Sequence, residues 1–410
     1  MTASVCCLSN NTPGRLARCA LSVFLAGLLG LIGTRAQAWP EGVQLHGFAS
    51  QGFLLTSDNN FFGGTDGDGS FGFGELGLNG SWQISPDLLL SLQVLSRRAG
   101  ETDDGDLRMD YGFLDYSFIS DADNRWGIRL GRIMNPLGLY NDTRDVAFTR
   151  PSILLPQSIY FDVNRNLALS ADGVQLYGER RTDWGDFFLQ LGYVYPRVDD
   201  PDFERSIFFG DALGDLESDP SWIGRLTYER DGGRFRFMVS GAQVNVGYDP
   251  GGPIDPFQAG KFRFQPLILS AQYNAERWSF TTEYAPRPVS LYSFGPFLPD
   301  TDFTGQSYYL QGTYKFAPRW EGLLRYDVLY WDTDDRDGSK FAELTGLPAH
   351  SRFSKDWTVG LRWDVTPSFM LRAEFHYIDG TGWLSELENP GRLDTDRYWN
   401  LFAILASFRF

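Results

Sequence analysis

The stretch Phe402-Ala403-Ile404-Leu405-Ala406-Ser407-Phe408-Arg409-Phe410 decides the fold. In an extended strand, successive side chains point to opposite faces, so Phe402, Ile404, Ala406, Phe408 and Phe410 share one apolar face. Ser407 and Arg409 fall on the other. A soluble domain can own such a strand, but an apolar, aromatic terminus without a polar tail is unusual in water. The pattern points to a strand with one face in lipid.

The opposite end of the chain points to the same compartment. Arg15 and Arg18 precede an apolar run from Ala20 to Ile32, and Ala36-Gln37-Ala38 forms a small-x-small site. Residues 1–38 are therefore expected to be a secretory signal peptide, cut before Trp39. Cys6, Cys7 and Cys19 all lie in that part, so residues 39–410 carry no disulfide, thiolate nucleophile or thiolate metal site. Neither a metal nor a cofactor is expected. Trp39, standing where a lipoprotein needs Cys, argues against a lipid anchor. The terminal strand resembles that of bacterial outer-membrane barrels, where alternation ending in Phe is an assembly signal. On that resemblance Phe408 and Phe410 address the chain to the barrel-assembly machinery, and its surroundings are outer-membrane lipid and lipopolysaccharide.

Composition agrees with that address. Aromatics make up 16% of the chain and glycines number 45, yet mean hydropathy is −0.27. No segment after the leader approaches about 18 uninterrupted apolar residues, the length a spanning helix needs. In lipid every backbone polar group must be paired, so such a chain can span only as a closed β-barrel with lipid-facing and lumen-facing residues alternating. Residues 39–410 carry 33 basic against 52 acidic side chains, which excludes nucleic acid as a partner.

Alternating segments read as strands over 43–55, 72–85, 87–98, 108–120, 125–133, 171–182, 185–196 and 221–231, then over 234–246, 264–274, 277–287, 304–316, 319–331, 355–365, 368–379 and 397–410. The fold expected is all-β: a transmembrane antiparallel barrel of about 16 strands, one domain over residues 39–410, with an inward-folded constriction loop after strand five. Ser85-Pro86, Asp231-Gly232-Gly233, Ala317-Pro318 and Thr366-Pro367 suit tight turns at the periplasmic end. Trp357, Val359, Leu361 and Trp363 oppose Thr358, Gly360, Arg362 and Asp364, while Phe369, Leu371, Phe375 and Tyr377 oppose Arg372, Glu374 and His376. A basic charge at the lipid midplane costs about 2–4 kcal/mol, so these charges belong in the lumen. The register stays open at 43–55, and at 108–120, where Asp115 interrupts the face of Tyr111 and Phe113. A bulge or a misplaced boundary accounts for either.

One connection differs from the rest. Gly131-Arg132, Pro136-Leu137-Gly138-Leu139, Thr149-Arg150 and Asp172-Gly173-Val174-Gln175-Leu176 resemble matching pieces of the phosphate-selective porin family, covering roughly 126–178. The resemblance implies a Gram-negative outer-membrane porin, a likewise implied homotrimer, whose segment after strand five narrows the pore. Candidate constriction residues are Arg129, Arg132, Arg144, Arg150 and Arg165, because a narrow low-dielectric pore focuses the field of its charges. Arg144, Arg150 and Arg165 could instead pair with Asp142, Asp145 and Asp162 of the same loop and hold it folded. Lumen-wall candidates mix Arg97, Arg225, Arg325, Arg362 and Arg372 with Glu321, Asp327, Asp364 and Glu374, unlike the basic rows expected of a phosphate channel, so phosphate selectivity is not carried over.

Acidic clusters such as Asp66-Gly67-Asp68, Asp103-Asp104-Gly105-Asp106 and Asp332-Thr333-Asp334-Asp335 read as solvated loop tips. Asp66-Gly67-Asp68 does not continue to the twelfth-position Glu of an EF-hand. Catalysis is not expected, since His46, His350 and His376 fall at separate places in the strand plan. The function expected is passive diffusion of small hydrophilic or charged solutes through a water-filled channel. The alternatives are a substrate-specific channel, for a phosphate-type anion or an iron chelate, and a receptor or adhesin barrel without an open pore.

Overall fold

The computed structural model describes residues 41–198, 201–208, 212–390 and 393–410. The expected leader over 1–38 lies outside the described residues. Seventeen strand segments form one antiparallel sheet that closes on itself. Two of them, Lys261–Phe264 and Leu267–Asn274, occupy one place between the same two neighbours, so the transmembrane barrel has 16 strands. The break falls at Pro266, which has no N–H to give the ladder. Its carbonyl still accepts from Ala242 N at 3.1 Å.

In chain order the strands are β1 (Val43–Thr56), β2 (Phe73–Ser85), β3 (Leu88–Ala99), β4 (Asp104–Ser120), β5 (Asn124–Met134), β6 (Ser170–Thr182), β7 (Gly185–Pro196) and β8 (Asp215–Arg230). They continue as β9 (Phe235–Asp249), the two-piece β10, β11 (Trp278–Tyr292), β12 (Thr301–Ala317), β13 (Trp320–Tyr330), β14 (Phe353–Thr366), β15 (Phe369–Gly380) and β16 (Tyr398–Arg409). Short turns gather at one end and longer connections at the other. The link between β3 and β4 departs from the expected long loop. Arg98 pairs with Asp104 and Ser96 Oγ donates to Gly105 O at 2.6 Å, so Asp104 and Asp106 belong to a strand rather than a loop tip.

Both open registers resolve. β4 carries a bulge, since Gln93 and Val94 of β3 face Tyr111 and Met109 and leave Asp110 between them. The extra residue swaps the parity: Leu107 and Met109 face out before it, and Leu114, Tyr116 and Phe118 after it. Asp115 then points inward with Tyr111 and Phe113. β1 pairs with β16 through Phe53↔Ile404 and Leu55↔Phe402 on the outer face. On the inner face Ser50 and Ser407 share a hydroxyl hydrogen bond of 2.8 Å.

The apolar half of the alternation lies on the outer surface. Leu76, Leu92, Leu130, Leu191, Phe237, Phe280, Leu310, Leu324, Val359 and Phe375, from ten different strands, are all exposed. In water that would be one apolar patch far beyond the few hundred Å² a soluble monomer tolerates. Against hydrocarbon it is the required surface.

The inner face of the closing strands is the surprise. Leu401, Ala403 and Leu405 of β16 point inward and are fully buried, together with Met370 and Ile378 of β15 and Leu54 of β1. They pack on Ala147, Phe148, Ile153 and Leu154 from the β5–β6 connection. This part of the interior is therefore a packed core rather than the water-lined wall expected. Alternation read from one face says nothing about what the other face meets.

At the seam Gly47 lies under the Phe410 ring, and a Cβ there would collide with it. Gly47 N and Phe410 N also exchange hydrogen bonds with each other's carbonyls, at 3.2 and 3.0 Å. Gly47→Val should lower the temperature at which the folded barrel loses its fast gel mobility, a destabilisation of about 1–3 kcal/mol. Gly64→Ala, with open space around the added methyl, should leave that temperature unchanged.

Candidate functional site

The segment 135–169 between β5 and β6 is closed at its neck. Asn135 N donates to Leu169 O at 2.9 Å, and the Asn141 side-chain amide donates to the carbonyls of Asn135 and Ala168 at 2.9 and 2.8 Å. Inside the loop, Arg150 donates to Arg144 O at 2.7 Å and Arg144 to Tyr160 O at 3.1 Å. Side chains of the loop thus satisfy loop carbonyls that have no ladder partner.

The same segment is tied to inward side chains of many strands. Gly138 N donates to Ser240 of β9 at 2.9 Å, and Arg225 of β8 pairs with Asp142. Glu283 of β11 accepts from Leu139 N at 3.0 Å, Tyr160 at 2.6 Å, Ser270 at 2.6 Å and Tyr309 at 2.9 Å. Asp327 of β13 takes Ser158 N at 3.2 Å as well as the Ser158 hydroxyl, and Arg325 donates to Ser152 Oγ at 2.9 Å and Leu154 O at 3.1 Å. On β15, Glu374 accepts from Ile153 N and from Leu154 N at 3.2 Å, while Arg372 donates to Ser152 O and Arg150 O at 3.0 and 2.6 Å. Arg97 of β3 pairs with Asp162 at 2.9 Å, and Arg150 with Glu75 of β2 at 3.1 Å.

The candidate arginines therefore divide. Arg144, Arg150 and Arg165 come together, all buried, each beside an acid: Asp162 at 3.4 Å, Glu75, and Asp145. The pairing alternative describes Arg144 with Asp162 and Arg165 with Asp145, whereas Arg150 pairs outside the loop, with Glu75 of β2. Arg144 keeps one nitrogen, Nη1, without a partner. Burial holds its guanidinium below the ordinary value, against the pull of Asp162. Arg129 stays on the β5 wall, held by Asp115 at 2.9 Å and stacked over Tyr177. Arg132 does not join them. It shares the outward parity of Ile128 and Leu130 and pairs at 2.8 Å with Asp172, half exposed on β6. A strand-end Arg next to Gly131 reads as pore-lining only if the register is off by one, which flips the face.

Of the wall candidates, Arg97, Arg225, Arg325, Arg372, Asp327 and Glu374 bind the loop as described. Glu321, Arg362 and Asp364 sit nearer the short-turn end, with Arg362 on Asp364 at 2.8 Å. The sequence reading passed over Glu75 and the Tyr160–Tyr309 pair. Inward parity on β2 was the one available signal for Glu75; nothing local marks a tyrosine that meets a carboxylate over 120 residues away. His376, Asp356 and Glu374 form an inward cluster, with His376 Nδ1 on Asp356 at 2.8 Å.

Comparison with protein-family models and with curated proteins finds no match. Solved structures do match. The chain is similar to an anion-selective porin from Comamonas acidovorans, with TM-score 0.58, 13% identity, and 90% of this chain and 99% of that one covered. It is similar to the outer-membrane channel DcaP of Acinetobacter baumannii, with TM-score 0.57, 13% identity, and coverage of 92% and 100%. The trimer form of OmpT from Vibrio cholerae gives TM-score 0.56, 14% identity, and coverage of 90% and 99%. At such identity the likeness shows the fold: this chain has a porin-type barrel.

Glu283 is the most heavily used anchor, with four donors on one carboxylate. Glu283→Leu should cost about 3 kcal/mol or more in chemical unfolding of the barrel, because it strands buried donors. Glu283→Gln, which keeps an acceptor oxygen, should cost clearly less.

Proposed function

We propose that the protein is a passive outer-membrane channel for small solutes, and that the segment 135–169 is its constriction. The observation that carries this reading is the anchoring of that one segment to inward side chains of β2, β3, β8, β9, β11, β13 and β15. A segment tied to strands on opposite sides of a barrel has to cross its lumen. Most of its charges are neutralised by partners at hydrogen-bond distance, so its first role is steric: it sets how large a solute passes. The apolar contact of Phe148, Ile153 and Leu154 with β15 and β16 narrows the opening further and favours a selective channel over a wide general pore. The names of the similar structures, an anion-selective porin and two outer-membrane proteins, support this placement. One of them is a trimer, which supports the same assembly here.

Single-channel recording in a planar bilayer tests the reading. The native barrel should pass ions with small unitary conductance. Asp327→Ala with Glu374→Ala removes the acceptors of Ser158, Ile153 and Leu154, and should raise that conductance several-fold while the barrel stays folded. Folded native and double-variant barrels that both fail to conduct would overturn the channel and favour a receptor without a pore.

A further inference from the structure

A cavity of about 160 Å³ lies between the anchored segment and the walls of β8 to β12, on the long-loop side. Its lining is mainly apolar, with Phe161, Phe262, Phe264, Val289 and Trp331 among its walls. Its charged lining residues are all arginines, of which Arg144 is also paired with Asp162. Arg144, Arg287 and Arg352 border it, and no Asp or Glu does among the described residues, in a chain of net charge −16.

Arg287 is the second independent observation. It points inward from β11, is only 7% exposed, and forms no salt bridge among the described residues, Asp327 acting on it only from beyond ion-pair distance. One of its terminal nitrogens donates to Tyr330 O at 3.1 Å, and its guanidinium lies 4.8 Å from the Phe161 ring centre. Its Nε has no partner at all. Buried cations are ordinarily paired, so a guanidinium left in this state beside a cavity is a site waiting for an anion. Arg144 adds its unpartnered Nη1 from the loop side.

We propose that this cavity binds a single-ring aromatic carboxylate, or an aliphatic one of similar size. The carboxylate would meet Arg287, and Arg144 from the other side; the ring would lie against Phe161, Phe262 and Val289. Size sets the class: an apolar cavity of about 150 Å³ accommodates benzene, so one ring fits and a long acyl chain does not. The walls set it against a small inorganic anion, which would give up hydration to apolar surface over most of its area. A planar guanidinium matches a carboxylate through paired N–H donors, which supplies the polar end. This assignment deepens the channel reading, on which it rests for its biological sense, by naming a solute class held just above the constriction.

Calorimetric titration of the purified, folded barrel in detergent, against a blank of empty micelles, tests the site without requiring transport. The probes are sodium benzoate, benzyl alcohol, sodium acetate and sodium phosphate. Benzoate should bind at least about tenfold tighter than each of the other three, since it alone offers both the ring and the charge. Arg287→Gln should reduce benzoate affinity at least about tenfold and leave benzyl alcohol nearly unchanged, and Arg287→Lys should restore part of the loss. Heat-shifted gel mobility verifies that each variant is folded. Benzoate binding no tighter than acetate or phosphate would overturn the proposal, as would a folded Arg287→Gln barrel with unchanged benzoate affinity. A barrel that binds benzoate as expected yet never conducts would leave this site standing and overturn the channel instead.

Discussion

Every backbone amide and carbonyl that faces hydrocarbon needs a partner within the protein, because the bilayer core supplies none. Closure of β1 on β16 meets that demand for the last two edges, and the rest of the architecture follows from it. A closed sheet has an inside and an outside, so each strand must alternate. The outside is fixed by lipid, which leaves the inside free to take charge. Arg97, Arg325, Arg372, Glu283, Asp327 and Glu374 sit there because they cannot sit on the other face. Those same groups then hold the segment 135–169, whose own carbonyls and amides would otherwise be buried without partners.

Fold and function were legible in the sequence to different depths. Strand positions followed from period-two alternation, which is local: Trp357, Val359 and Leu361 reveal their face without reference to anything distant. The bulge at Asp110 and the break at Pro266 were harder, because both depend on what the neighbouring strand does at that point. The pairing of Arg150 with Glu75, 75 residues away, was beyond local reading altogether. So was the buried inner face of Leu401, Ala403 and Leu405. A strand apolar on both faces reads as membrane-facing from either side, and only the folded loop shows what covers the second one. Arg132 failed for a related reason, since position next to Gly131 at the strand end does not reveal parity.

The interior combines two kinds of contact that hold the segment differently. Around β1 and β16 it is packed by apolar side chains, a contact that is non-directional and tolerates small shifts, and β15 contributes both kinds, with Met370 and Ile378 beside Arg372 and Glu374. Around β8 to β13 it is held by charge-assisted hydrogen bonds, which fix geometry and are strengthened by exclusion of water. Glu283 shows the consequence. With Ser270, Tyr160, Tyr309 and Leu139 N all on one carboxylate, the loop cannot slide along β11 without breaking several bonds together. A segment held this way has a defined position, which a loop packed by apolar contacts alone would not.

Within that balance the exceptions carry the most information about ligands. An interior with so many matched pairs shows that the fold supplies acids where arginines need them: Asp162 for Arg97, Glu75 for Arg150, Asp145 for Arg165, Asp142 for Arg225. Arg287 has no acid within ion-pair distance among the described residues, Asp327 acting on it only at longer range, although Asp and Glu outnumber Lys and Arg 52 to 36 over the chain. Its place beside an apolar cavity that Arg144 also lines makes the missing acid part of the proposed site: a carboxylate from the chain at that point would occupy the position an anionic solute needs. The unpaired guanidinium and the ring-sized space are therefore two sides of one requirement, and either alone would say less about what enters the barrel.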